Sequence, residues 1–539
     1  MAYPSLEQYN LAFQLHSRLL SDPELRAGTV ATTGLGLPLA ISGGFALTYT
    51  INAGSKKYAV RCFHRESKAL EKRYDAISTR LASLHSPFFL DFQFQPKGIS
   101  VEGASYPIVK MAWARGKTLG EFLEDNRHDR QALAKLSSSL VKLAAFLEKE
   151  KIAHGDFQTG NLMVSDGGAT VQLIDYDGMY VDGIKALGSA ELGHVNFQHP
   201  QRKSANPFDP TLDRFSLISI WLALKALQED PSIWDKTNSE VDAVVFRAND
   251  FSDPGASSAL AIVSSQKSLE VDAKNFAAIC ASPMVNSPSL ADFIAGQSIP
   301  LLASVINITG LAPAGRSKPG YISAYEVLPA LNYEACFRRV GDKVEVIGKI
   351  VEVNFNKARN GKPYIFVNFG NWRGRIFKIS IWSEGLDALR PQPDTTWVGK
   401  WISVVGLMEP PFVSNKYKYS HLSITVTTAG QLNIITEENA RWRLSGSRDA
   451  SVAPSISLNR ETLERITGRP SQAATPAPPA LRASSNKDIL DKIRATTQPP
   501  QTQTTMPQPT RRPTQPHYVR PQPPQKKGVV TKIFEWLFS

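Results

Sequence analysis

Two short apolar runs, Leu162–Val164 and Val171–Ile174, stand on either side of Ser165-Asp166-Gly167-Gly168. No other stretch constrains the fold as much. Apolar runs of strand length about a Gly-rich turn form a β-hairpin. The hairpin predicts that Asp175, at its exit, folds back beside Asp156 and Asn161, which precede it. A carboxylate to orient an attacking hydroxyl, with an Asn and a second carboxylate to hold Mg2+ on phosphates, is what phosphoryl transfer requires.

The same stretch resembles the protein kinase superfamily. His154-Gly155-Asp156 stands where that family has His-Arg-Asp, Asn161 where it has its metal-binding Asn, and Asp175-Tyr176-Asp177-Gly178 in place of Asp-Phe-Gly. The resemblance implies that Asp156 is the catalytic base, that Asn161 and Asp175 are the ligands of Mg2+ (or Mn2+), and that ATP is the donor. It also implies a bilobal kinase-like fold over residues 1–310.

The chain has 539 residues, enough for two or three domains. Its three cysteines, Cys62, Cys280 and Cys336, lie far apart with no CxxC pair. That pattern argues against a disulfide framework or a zinc site, and for a reducing compartment. No basic-then-apolar signal segment opens the sequence, and the longest apolar run, Leu217–Leu227, is short for a bilayer and carries Lys225. The expectation is a cytoplasmic protein with no transmembrane segment. Net charge is +12, but from Arg441 onward there are 16 Lys+Arg against 6 Asp+Glu, so ten of those charges belong to the C-terminal stretch.

Several positions depart from the kinase pattern. Ser5 opens a capped leading helix. Ile41, Gly43 and Ala46 take the three glycine positions of the family's phosphate loop, with Gly44 beside Gly43, so two glycines still allow close backbone approach. Arg61, in Tyr58–Phe63, replaces the lysine that pairs with phosphates; it keeps the charge on a larger, planar fork. The helix predicted over Ser67–Leu84 carries Glu71 and Asp75 near the place of the lysine's acidic partner, Glu71 being favoured for Arg61. Met111 is expected at the back of an adenine pocket, with Ala112, Trp113 and Ala114 offering backbone groups to the base. Gly155 replaces an arginine that grips phosphorylated loops, and Gln158 stands where protein-directed kinases carry lysine. Between Gly178 and Pro200 the only hydroxyl residue besides tyrosine is Ser189, so switching by loop phosphorylation is not expected. Asp213, before the apolar helix, matches a family Asp that hydrogen-bonds the catalytic-loop backbone.

A second module is expected over residues 335–436. Its runs are Lys343–Val353, Pro363–Phe369, Arg375–Ile381, Trp401–Leu407 and Leu422–Thr427, with a short helix at Glu384–Leu389. Five strands with a helix after the third look like an OB-fold barrel. Tyr364, Phe366, Phe369, Trp372, Phe377 and Trp382 interleave with Lys362, Arg373, Arg375 and Lys378, as in single-strand stacking platforms. The candidate nucleic-acid residues are Tyr364, Trp372, Arg373, Arg375 and Trp382. A small barrel also buries alternate aromatics, so one face of Pro363–Phe369 must be interior, and a protein-binding barrel stays open.

Beyond Arg441 the composition turns to Pro, Gln, Thr, Ser and Ala. Residues 441–525 read as a disordered basic linker, and 526–539 as an amphipathic tip for a partner protein, with a membrane-surface anchor as competitor. The fold class expected is thus α+β: a bilobal kinase-like fold, a five-stranded OB-like barrel and a disordered tail. The function expected is transfer of the ATP γ-phosphate to a protein substrate, targeted by a barrel that binds single-stranded nucleic acid. A nucleotide-binding pseudokinase scaffold is the alternative.

Overall fold

A computed structural model describes residues 3–32, 36–42, 46–64, 69–302, 306–310, 320–358, 361–414 and 417–446. All belong to one compact unit, Met1–Ser455. Gly43 and Gly44, the rest of the expected linker beyond residue 446 and the expected C-terminal tip lie outside the described residues.

The architecture is mixed α+β with four sheets. Ser5 caps the helix Leu6–Gln14 through a box with Gln8, and this helix buries Tyr9 and Phe13 against the first sheet. That sheet is antiparallel; its long strands are Ala46–Ala53, Lys56–Phe63, Ala104–Ala112 and Phe92–Val101, in that spatial order. The helix Leu70–Leu84 lies on its other face. Leu70, Tyr74, Ile77 and Leu81 recur at helical spacing and enter the main core.

Helices dominate from Leu119 to Ile294. The central one, Arg214–Glu229, is apolar all round because it is buried all round, with Phe215, Ile218, Leu222 and Ala226 inside. It packs on the long helix Arg130–Glu150. The hairpin lies where the apolar runs put it: Leu162–Ser165 pairs with Thr170–Leu173, joined through Asp166, Gly167 and Gly168, all at positive φ.

The second β module starts with Lys343–Lys349, which breaks and continues as Glu352–Lys357. The first half pairs with Trp401–Leu407 and the second with Pro363–Asn368. Arg375–Ile381 follows antiparallel, and Tyr419–Thr425 joins it in parallel. Three short strands, Val327–Pro329, Phe412–Ser414 and Leu432–Ile435, extend these sheets and were not apparent from the sequence. Ile365, Val367 and Phe369 turn inward with Phe377, Ile379 and Ile381. The opposite face carries Tyr364, Phe366 and Asn368.

One boundary needs correction. Residues 441–446, read as the start of a linker, are instead the end of the helix Glu437–Gly446. Arg443, 2% exposed, is among the largest fully buried side chains. Its guanidinium bonds Glu345 Oε1 of the second module at 2.9 Å, Asn439 Oδ1 at 2.6 Å and Glu240. Paired carboxylates make burial of this basic residue tolerable, and composition alone does not reveal them.

Candidate active site

Asp156 sits in the loop before the hairpin, and its backbone surroundings are fixed first. Asp213 accepts the N–H groups of His154 and Gly155, and Ala153 and Tyr180 exchange two backbone hydrogen bonds. Gly155, at φ +80°, lies so close to the following loop that a Cβ would stand 2.1 Å from the Gly178 carbonyl oxygen. Glycine is therefore required here by contact and by conformation. His154 is buried beside this turn, its Nε2 2.8 Å from the Ile174 carbonyl oxygen.

Three donors meet the Asp156 carboxylate. Oδ2 accepts from Gln158 Nε2 at 2.6 Å and Asn161 Nδ2 at 2.9 Å, and Oδ1 from the His194 backbone at 2.7 Å. Asn161 Nδ2 also reaches the Asp156 carbonyl at 3.0 Å, which turns its Oδ1 away from Asp156. The hairpin returns the chain so that Ile174 N–H donates to the Asn161 carbonyl at 3.0 Å. Asp175 follows at φ 64°, ψ 77°, a left-handed conformation uncommon outside glycine and frequent at functional sites.

Arg61 comes from Lys56–Phe63 and is 6% exposed. Its Nη1 bonds Asp175 Oδ1 at 2.6 Å and Asp177 Oδ1 at 2.9 Å, and Nη2 bonds Asp177 Oδ2 at 2.8 Å. Burial opposes the Arg61 charge, but the two carboxylates outweigh it and raise its pKa. Burial likewise opposes ionisation of Asp175, yet Arg61 holds that carboxyl below its usual range. At Asp177 burial prevails and the pKa is raised. Expected as the partner of Arg61, Glu71 instead lies on the exposed face of its helix, as does Asp75. The helix contributes Tyr74, whose hydroxyl bonds Asp177 Oδ1. An acid from the Asp175–Gly178 turn thus replaces an acid from the helix.

The segment after Gly178 closes over the loop. Arg73 reaches the carbonyls of Leu187 and Gly188, and Arg202 reaches Ser189 Oγ at 3.1 Å. Glu191 lies near Asp156, Asp175 and Asp177; burial first, then these carboxylates, push its pKa well up. Met111 is buried in the core. The N–H groups of Ala112 and Trp113 are taken by the carbonyls of Asp91 and Lys57, and Lys57 Nζ covers the Trp113 ring at 3.7 Å. Trp113 therefore has no free backbone donor for a base, contrary to expectation. Among the described residues the N–H of Ala114 is not taken by another backbone group.

No protein-family model matches the chain. The chemistry of the site rests on its own groups. Asp175 keeps its Oδ2 clear of Arg61 with its side chain 39% exposed, and Asn161 Oδ1 faces away from Asp156. Such a pair suits a Mg2+ ion that takes its other ligands from phosphates and water. Among the described residues no group of three or more His, Cys, Asp or Glu side chains is arranged to hold a metal by itself.

On the second module, Tyr364 is buried against Phe366 and Trp382, with ring centroids 4.9 and 5.1 Å away. Lys378 Nζ covers Phe366 at 3.7 Å, and burial lowers its pKa to about 8 despite Glu409. Trp372, 36% exposed, packs edge-on against Tyr419 and carries Arg373 over its ring. Arg375 is tied to Glu334 at 2.7 Å and covers Tyr333, apart from the Tyr364 cluster. Phe366 and Lys378 join Tyr364, Trp372 and Trp382 on this outer face, together with His421, which the sequence reading missed; the register of the strands was the signal that could have found it. Among the described residues no helix is long and apolar enough to cross a membrane.

Proposed function

We propose that the protein is an ATP-dependent phosphotransferase of kinase-like, bilobal fold, followed by an OB-like barrel. The observation that carries this reading is the assembly of Asp156, Asn161 and Asp175 around one loop anchored by Asp213. An acceptor hydroxyl would give its proton to Asp156 as its oxygen bonds to the γ-phosphorus, while the bond to the β-phosphate oxygen breaks and ADP leaves. Asp175 and Asn161 would hold Mg2+, which would supply charge neutralisation on the phosphates. A protein hydroxyl is the acceptor we favour. The test is Asp156→Asn: transfer from labelled ATP should disappear while ATP binding stays. Transfer at the wild-type rate in that variant overturns the assignment.

A pseudokinase scaffold is the second reading. It is favoured by the commitment of Arg61 to two carboxylates and by the His194 N–H on Asp156. ATP binding without transfer under any condition supports it.

For the barrel we propose single-stranded nucleic acid. Tyr364, Phe366, Trp382, Trp372 and Lys378 share one outer face, and aromatic rings beside a cation suit stacked bases and phosphates. Trp372→Ala and Trp382→Ala should each weaken binding of a labelled single-stranded oligonucleotide.

A further inference from the structure

Arg61 is the cation that the first sheet offers to Asp175 and Asp177, and it is already engaged. One guanidinium facing Asp175 and Asp177 has no charge left over for a polyphosphate. A second cation, from the other module, lies behind the segment that meets Asp156. Lys343 opens the strand Lys343–Lys349, and its Nζ stands 4.7 Å from the centroid of the Tyr325 ring. Tyr325 packs edge-on against His194 with centroids 6.1 Å apart. His194 is the residue whose backbone N–H meets Asp156. Lys343 takes part in no ion pair among the described residues. Burial opposes its charge, but Tyr325, Asp242 and Asp175 outweigh burial and keep it protonated.

The approach is held firmly. Thr159 of the catalytic loop donates to the Val241 carbonyl at 2.6 Å, and Asn196 to the Asp242 carbonyl at 3.2 Å. The preceding residue, Glu240, pairs with Arg443 and Arg247, and Arg443 pairs in turn with Glu345, two residues along from Lys343. Gly430 of the second module comes so close that a Cβ would meet Val241 Cγ1 at 2.7 Å. Residues Glu240, Val241 and Asp242 thus join the catalytic loop, the covering segment and the second module.

We propose that Lys343 is a phosphate-contacting residue of the candidate active site, supplied by the second module to do what Arg61 no longer can. Its ammonium is a compact point charge with three donors, suited to phosphate oxygens. The proposal rests on the nucleotide reading above.

The test is titration of the full chain with ATP·Mg2+, as wild type, Lys343→Met and Lys343→Arg, with the unfolding midpoint of each apo protein. Loss of one charge-assisted contact should weaken ATP roughly 10- to 100-fold in Lys343→Met. Lys343→Arg should recover most of the affinity, with midpoints close to wild type. If wild type binds ATP and Lys343→Met binds it equally well, the role of Lys343 is overturned and the nucleotide reading stands. Weakening that Lys343→Arg does not relieve also overturns it, because a structural defect then accounts for the loss. If wild type binds no ATP, the nucleotide reading falls and this inference with it.

Discussion

Arg61 and Asp177 form a two-pronged ion pair, Nη1 to Oδ1 at 2.9 Å and Nη2 to Oδ2 at 2.8 Å, closed on its far side by the Tyr74 hydroxyl. Removing one member of a buried pair leaves the other charge without its counter-charge. Asp177→Asn should therefore lower stability by about 3 kcal/mol, since Asp175 still holds Arg61. Glu71→Gln, on the exposed face of the neighbouring helix, should stay within about 0.5 kcal/mol. Urea unfolding of both variants decides it, and equal effects would contradict the assignment of partners.

Gly155 tests the loop geometry. Gly155→Ala brings a Cβ to 2.1 Å from the Gly178 carbonyl oxygen at φ +80°. Gly167→Ala, at φ +62° with nothing within 4 Å, carries only the conformational cost of about 1 kcal/mol. The first should cost at least about 2 kcal/mol more than the second. Thermal unfolding that ranks the two alike would show that the close approach of these loops is wrong.

Arg443 joins the second module to the helical part. Arg443→Met should destabilise by about 3–5 kcal/mol because it leaves Glu240 and Glu345 buried without their cation. In the double variant Arg443→Met with Glu240→Gln the loss should be less than additive. Strict additivity in a double-mutant cycle would mean that the two side chains do not interact.

Buried His194 and half-buried Asp242, 3.8 Å apart, give opposite pH dependences. Burial raises Asp242 to about 6, so the folded state binds its proton more tightly and this group adds stability as pH falls from about 6 to 4. Burial lowers His194 to about 4 despite Asp156. The unfolded chain then binds that proton more tightly, and stability is lost as pH falls from about 6.5 to 4. Relative to wild type, Asp242→Asn should lose stability on acidification across this window and His194→Gln should gain it. Unfolding curves at pH 7, 6 and 5 measure the difference. Parallel profiles for wild type and both variants would rule out the shifts.

Much of the secondary structure was legible because it follows period and turn chemistry. The hairpin about Asp166–Gly168 and the strand Arg375–Ile381 lie where alternation and glycine put them. Side-chain partners were not legible. Nothing local distinguishes Glu71, ten residues from Arg61, from Asp177, far along the chain; only the packed loop does. Arg443 stood in sequence that reads as linker, and its burial depends on Glu240 and Glu345, which lie in two other segments. Tyr364 shows the same limit on the second module. It points away from the core of that module, yet is buried because Phe366 and Trp382 close over it.

The most direct test of the central claim is ATP turnover and autophosphorylation in Mg2+ or Mn2+, with generic acceptors added, for wild type and Asp175→Ala. Phosphate transfer by wild type that is lost in the variant is expected, since Asp175 is the residue proposed to hold the metal on the phosphates. Transfer that persists unchanged in Asp175→Ala, or a wild type that neither binds nor turns over ATP, would contradict it.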